Sequence, residues 1–452
     1  MLKNKKQILF IEWVSTGRDL EIDLPLMYFF EKVLGWEVLY ISIFNLPEIL
    51  KTKPDLVIMS NTTGSIRNHE IAKLIHNSDI LLFSHVSEGM YKENSLDGCL
   101  WGWNVEKKFN ERLSIIWNMK SYLMSVNCYS YLANKLRVSG SIGHDKYQIY
   151  TDHVDLSKNY KKTIGYAAFD FEYTIKQEGL IVKRYGQNVY DLNVRDSTIV
   201  NNSLKVIVKN NPDILFIFKN HPGSGNNISI EFKDLSVFSN VLIVFNKTSI
   251  VDAIKSSDIW LNYRSSTNVE AWLLGKPSIS LCSESCLLEY SPVCYGSVIE
   301  SSPEKINSYI SEFYQTGKID RFEKLQKIRE QIIKDSVGFD DGLNHVRFMS
   351  FLKPYIEKIE QGVLRKGKWK ASLKERIIWY CKHKIFSISS RHFNIFYLKK
   401  WAHIYEKFND DEVAEQKELK YPDFDNFYKN NTEKINFIYS EYVSNWKKDL
   451  DG

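Results

Sequence analysis

The chain has 452 residues, 44% hydrophobic and 25% charged, which is the composition of a folded globular protein and excludes a disordered or fibrous one. At about 100–200 residues per domain, two or three domains are expected. Sixty Lys and Arg against 55 Asp and Glu leave a net charge of +5, too small to imply a nucleic-acid partner.

In chain order, short apolar runs rich in β-branched and aromatic residues alternate with helical patterns. They predict strands at 7–14, 37–42, 55–60 and 79–84. After a polar pause at 144–162 the series restarts at 163–169, 213–219, 241–245, 258–262 and 277–282. Unbroken apolar runs with helices between them mean parallel strands buried on both faces. The expected fold class is α/β: two Rossmann-like doubly wound parallel-sheet domains over 1–155 and 156–340, then a helical extension over 341–452. No stretch approaches 18 apolar residues, the start lacks a cleavage pattern, and the six scattered cysteines suggest neither zinc nor disulfides. A cytoplasmic protein with reduced thiols is expected.

Open parallel sheets bind ligands beyond the carboxyl ends of their strands. In the second half, FIFKNHPGSGNN carries a strand into Lys219, Asn220, His221 and Pro222, a cation and an imidazole beside a glycine loop suited to phosphate. DIWLNYRSSTNVEAWLLGKPSISL turns at Arg264, Ser265 and Ser266, where Ser266 or Thr267 can cap a helix over 268–274. Its hydroxyls and free amides suit an anion, and Glu270, a turn inside, suits a ribose hydroxyl. Asp170 ends the strand before these.

In the first half, Glu12 lies in the first strand and Arg18, Asp19 and Glu21 follow it. His85, Glu88 and Gly89 stand past the fourth strand, where a carboxylate beside a glycine can deprotonate a sugar hydroxyl. LRVSGSIGHDKY brings His144 and Asp145 to the loop before the pause. Each of these residues also has a plainer role as a turn, a cap or a surface charge. There is no GxGxxG after the first strand, no GxxxxGK[ST], no GxSxG and no HExxH. With no metal or other cofactor required, a diphosphate's charge would fall to Lys219, His221, Arg264 and a helix dipole.

A strand-terminal His-Pro paired with SSTNVEAWLLGKPSISL resembles the second domain of GT-B glycosyltransferases, particularly bacterial surface carbohydrate biosynthesis proteins. The opening FIEWVSTGRDLEID is similar to that family's Glu followed by Arg-Glu-Leu-Asp, here Arg18, Asp19, Leu20 and Glu21, and VSGSIGHDKY to its Val-Thr-Gly element. His-Pro and Ser-Ser/Thr elements are also shared with sialyl and Kdo transferases, whose acidic-acidic-Gly element is matched by Ser87, Glu88 and Gly89. Ser87 replaces the first acid there, and Lys219-Asn220 replaces the usual Arg-Pro.

The resemblance implies a metal-independent glycosyltransferase moving a sugar from a nucleotide donor, CMP-sugar foremost, to a surface polysaccharide or glycolipid acceptor of capsule or lipopolysaccharide type. Lys219, His221, Pro222, Arg264, Ser265, Ser266 and Thr267 would hold donor phosphate and Glu270 the ribose. Glu88 would act on the acceptor hydroxyl or the anomeric centre, with Arg18 and Asp19 beside it. Rivals are a CDP-glycerol-type phosphotransferase, a UDP-sugar 2-epimerase and a non-enzymatic, membrane-tethered assembly protein.

The charge is local. Residues 365–400 hold 11 basic residues and one acid, interleaved with aromatics, whereas 401–452 hold seven and 12. Such a basic aromatic segment suits the anionic inner face of a cell membrane, where a lipid-linked glycan acceptor would be met.

Overall fold

The computed structural model describes residues 5–15, 17–91, 96–102, 104–169, 171–221, 227–245, 248–282, 292–364, 366–374, 376–377, 380–381 and 409–451. The chain divides into two compact units, Met1–Tyr150 with Lys334–Gly452, and Thr151–Ile333.

Unit 1 holds strands β1 (Gln7–Glu12), β2 (Glu37–Ser42), β3 (Leu56–Ser60), β4 (Leu82–His85), β5 (Leu113–Ile116) and β6 (Leu136–Val138) in one parallel sheet of order β2-β1-β3-β4-β5-β6. Unit 2 holds β7 (Thr163–Ala167), β8 (Leu215–Lys219), β9 (Val241–Val244), β10 (Ile259–Asn262), β11 (Ser278–Leu281) and β12 (Val298–Glu300), all parallel, in the order β12-β11-β10-β7-β8-β9. The α/β architecture of two doubly wound sheets is therefore present. Its cause is visible in β3 (LVIMS) and β8 (LFIFK), buried at every residue because helices cover both faces. Strands β5 (LSII), β6 (LRV) and β12 (VIE) were not expected; a polar or charged residue interrupts or ends each of these three- or four-residue runs.

The helical pattern after Ser302 is also present. Helix Pro303–Thr316 begins with Pro at its first position, Ser302 accepts the Lys305 amide, and Gly317 ends it in the left-handed region at φ 78°. The C-terminal helices do not form a body of their own. Helices Asn344–Glu360, Asp410–Asn430 and Thr432–Asp451 belong to unit 1 and bury aromatic residues on it. Tyr28 donates to Asp425 at 2.6 Å, Trp36 to Glu360 at 2.6 Å, and both Lys417 and Tyr421 reach Glu31 at 2.6 Å. The rings of Tyr28 and Phe424 stack 5.0 Å apart.

Candidate functional site

In each sheet the strand order reverses at one point, and there the loops on either side part to leave room for a ligand. In unit 2 the reversal is at β7, which lies between β8 and β10. The carboxyl ends of these three strands bring together most of the residues expected to hold nucleotide. Lys219 is nearly buried and donates to Phe245 O at 3.1 Å. Asn220 closes the His-Pro loop: its Oδ1 accepts Ser229 N at 2.8 Å and Oγ at 2.7 Å, and its Nδ2 donates to Asn227 O at 2.8 Å. His221 N donates to Ser229 Oγ at 3.3 Å. Pro222 and Asp170 lie outside the described residues.

Past β10, Arg264 adopts a left-handed conformation at φ 51°, an unfavourable region for a long side chain. The expected cap is different in detail. Ser265 Oγ accepts Thr267 N at 3.2 Å and Thr267 Oγ1 at 3.1 Å, while Ser266 makes no side-chain cap and stands exposed. Helix Thr267–Leu273 has seven residues, the length expected, but starts one residue earlier. Asn268 belongs to the interior, pairing with Asn262 and donating to Ser280 Oγ at 2.9 Å. Glu270 is half-buried, and its Oε2 is sealed from solvent with no hydrogen-bond partner among the described residues. Glu231 was missed by sequence reasoning: fully buried, it accepts the Phe169 amide at 2.6 Å and so holds the loop after β7.

In unit 1 the order reverses between β1 and β3. Glu12 spans that gap, accepting Ser60 N at 2.7 Å and Ser60 Oγ at 2.6 Å. Beside it, Asp23 Oδ1 and His85 Nε2 lie 2.9 Å apart, at 0% and 3% exposure. Asp23 was not singled out from the sequence, although its i,i+4 spacing from Asp19 places both on one helix face. Burial, with Asp23 and Asp19 nearby, pushes the Glu12 carboxyl up to about 8. Burial also raises Asp19 and Asp23 and lowers His85. The ligand atoms of Glu12, Asp23 and His85 fall within 4.8 Å of one another. Both Glu12 oxygens accept from Ser60 and His85 bonds Asp23 directly, while Asp23 Oδ2 and His85 Nδ1 are buried with no hydrogen-bond partner among the described residues.

Arg18 and Glu88 meet at the surface, Nη2 to Oε1 at 3.3 Å, with Arg18 Nε 3.9 Å from Asp19 Oδ1. Three expectations change. A Cβ on Gly89 would meet the Trp117 ring at 2.4 Å, so this glycine admits an indole from its own fold and not a substrate. His144 accepts or donates to Ser141 Oγ at 2.7 Å, and burial, Lys146 and Arg18 drive its imidazole down to about 3, which keeps it neutral. Asp145 is fully buried and caps helix Asn344–Glu360, accepting Asn344 N at 3.0 Å and His345 N and Nδ1 at 2.8 Å each; its role is structural.

Part of the basic segment is engaged by the protein itself. Lys366 pairs with Asp55 at 2.8 Å, Trp369 donates to Thr52 O at 3.0 Å, and Lys370 pairs with Asp79. Residues 365, 375, 378–379 and 382–400 of that segment lie outside the described residues. Among the described residues no helix is long and apolar enough to cross a membrane.

No protein-family model matches the chain, and no curated protein does. Solved structures do. A putative UDP-N-acetylglucosamine 2-epimerase from Listeria monocytogenes superposes with a TM-score of 0.53 at 12% identity, covering 78% of this chain and 97% of that one. MnaA of S. aureus, solved with UDP, gives 0.51 at 14% identity over 78% and 97%. A further UDP-N-acetylglucosamine 2-epimerase gives 0.50 at 13% over 78% and 98%. At these identities the likeness shows the fold, and the fold is GT-B-like: two parallel-sheet α/β units, here with C-terminal helices added.

Proposed function

We propose that this chain is an enzyme of nucleotide-activated sugars. The observation that carries the proposal is that His221 and the Arg264–Thr267 turn follow β8 and β10, the two strands that flank β7 at the switch point of unit 2. Cation, imidazole and hydroxyls suit a diphosphate. No metal is invoked. The likeness to UDP-N-acetylglucosamine 2-epimerases, one of them with UDP bound, favours a UDP-sugar over the CMP-sugar expected from the sequence, and favours 2-epimerisation as the first reaction. Epimerisation needs groups that give and take a proton, and in unit 1 Asp19, whose carboxyl burial raises, and the exposed Glu88 have that character.

Glycosyl transfer is the second reading. It is favoured by Glu88, an exposed carboxylate at the end of β4, suited to take the proton of an acceptor hydroxyl. The two readings differ in one requirement. An epimerase converts UDP-N-acetylglucosamine with no acceptor present, detectable as a new sugar nucleotide by chromatography. A transferase releases nucleotide only when an acceptor glycan is added. A thermal-shift series with UDP, CMP, CDP and GDP that leaves the melting temperature unmoved would remove both and favour an assembly protein.

Membrane contact belongs to the transfer reading. Leu373, Ile377 and Tyr380 are 74%, 53% and 53% exposed at i, i+4 and i+7 spacing, with Lys374 and Arg376 among them. The expected result is co-sedimentation with phosphatidylglycerol vesicles but not phosphatidylcholine vesicles, and its loss in a Leu373→Ser, Ile377→Ser variant. Equal binding to both lipids contradicts the idea.

A further inference from the structure

The loop that follows β4 is tied down on both sides of Glu88. Val86 N donates to Ile115 O at 3.2 Å, and Val86 O accepts the Trp117 indole at 2.8 Å. Gly89 O accepts Asn118 Nδ2 at 3.2 Å and Ser121 Oγ at 3.0 Å. Ser87 is gripped twice by one side chain: its amide donates to Asn61 Oδ1 at 3.0 Å, and Asn61 Nδ2 donates to its hydroxyl. Among residues 86–89 Glu88 alone is exposed, at 77%.

Asn61 stands one residue past β3, in the left-handed region at φ 43°. An asparagine there is often a turn residue whose amide bonds its own backbone. This one spends its side chain on the neighbouring strand's loop instead. Its main chain is held as well, with N donating to His85 O at 2.9 Å and O accepting Asn68 Nδ2 at 3.1 Å. Asn68 is 4% exposed, and its Oδ1 accepts the Trp13 indole and the Ser65 hydroxyl at 2.6 Å each. The chain of contacts Trp13–Asn68–Asn61–Ser87 thus joins the carboxyl ends of β1, β3 and β4. A carboxylate that only solubilised the surface would gain nothing from a backbone held this tightly, whereas one that must meet a reacting atom does, because its Cα is placed before substrate arrives.

We infer that Asn61 is a positioning residue: by holding the amide and the hydroxyl of Ser87 it sets where Glu88 presents its carboxylate. The inference rests on the proposed role of Glu88 in proton transfer, and two measurements separate the two. Hydrogen exchange on the full chain reads the hold alone. In Asn61→Ala the amides of 87–89 should exchange at least about tenfold faster, as expected for the loss of both hydrogen bonds to Ser87, while the rest of unit 1 is unchanged. Ser87→Ala, which removes only the hydroxyl contact, should give a smaller increase. Turnover of the sugar nucleotide found active reads the consequence. Asn61→Ala should lower kcat by about 10²-fold with KM and UDP affinity unchanged. Asn61→Asp, which keeps the acceptor for the Ser87 amide and can receive its hydroxyl proton, should recover most of the loss. Wild-type exchange in Asn61→Ala, or faster exchange with wild-type kcat, overturns the inference. A Glu88→Gln chain with full activity overturns the role of Glu88 while leaving the exchange result standing.

Discussion

Replacing Glu88 by glutamine is expected to cut turnover by about 10²–10⁴-fold, the usual contribution of a general acid or base, without measurable loss of fold or of UDP affinity. The two halves of that expectation come from different observations. The side chain is 77% exposed and its partner Arg18 is 59% exposed, and ion pairs of that kind contribute about 0–1 kcal/mol. Removing the charge therefore leaves stability nearly unchanged, and no buried group is left unpaired. UDP affinity should also hold, because the residues assigned to nucleotide belong to unit 2 and Glu88 to unit 1. What is lost is the capacity to accept a proton, which an amide lacks. The measurement is kcat with the active sugar nucleotide beside a calorimetric titration with UDP. Wild-type kcat in the variant would shift the role to Asp19, whose carboxyl is raised by burial and which lies next to Arg18, and Asp19→Asn would then carry the loss.

The layering was legible because β3 and β8 are short runs whose first four residues are all apolar, as a segment buried on both faces must be. The nucleotide residues were legible for a related reason: His221 and Ser265 to Thr267 follow such runs directly, so locating the strand also located them. The fate of the C-terminal chain was not legible. Lys417 and Tyr421 bond Glu31 across nearly the whole sequence, and a charged, aromatic helix has the same composition whether it floats or docks. Asp145 was misassigned for the same reason, since the helix it caps begins at Asn344, about 200 residues later. Gly89 illustrates a different limit. A glycine beside an acid can admit substrate or side chain, and only the position of Trp117 distinguishes the two. Asp23 and Glu231 were overlooked because an acid inside an apolar stretch gives no hint of which buried donor it faces.

The Glu12 cluster should make the protein less stable as pH rises from about 6.5 to 8, and Glu12→Gln should abolish most of that loss. The sign follows from the direction of the shift. Glu12 is held at about 8 in the fold, from 4.5 when exposed, so between those values the folded chain binds a proton that the unfolded chain has released. Stability therefore falls with pH across that window, by about 1.4 kcal/mol per unit, and levels off above 8. His85, which burial lowers, acts oppositely but only below its unfolded value of 6.5, which is why the interval from 6.5 to 8 is the clean one. Glutamine has the shape of the protonated acid and nothing to ionise. It can still accept the Ser60 amide while its NH2 donates to the Ser60 hydroxyl, turned to receive it. Between pH 6.5 and 8 the variant should thus gain about 2 kcal/mol on the wild type, read as a rising difference in urea midpoints. Parallel pH profiles for the two chains would mean that Glu12 stays ionised, and that a cation rather than a proton balances the buried acids of unit 1. Metal analysis of the purified protein would then return about one ion per chain, and chelation would destabilise the wild type but not Glu12→Gln.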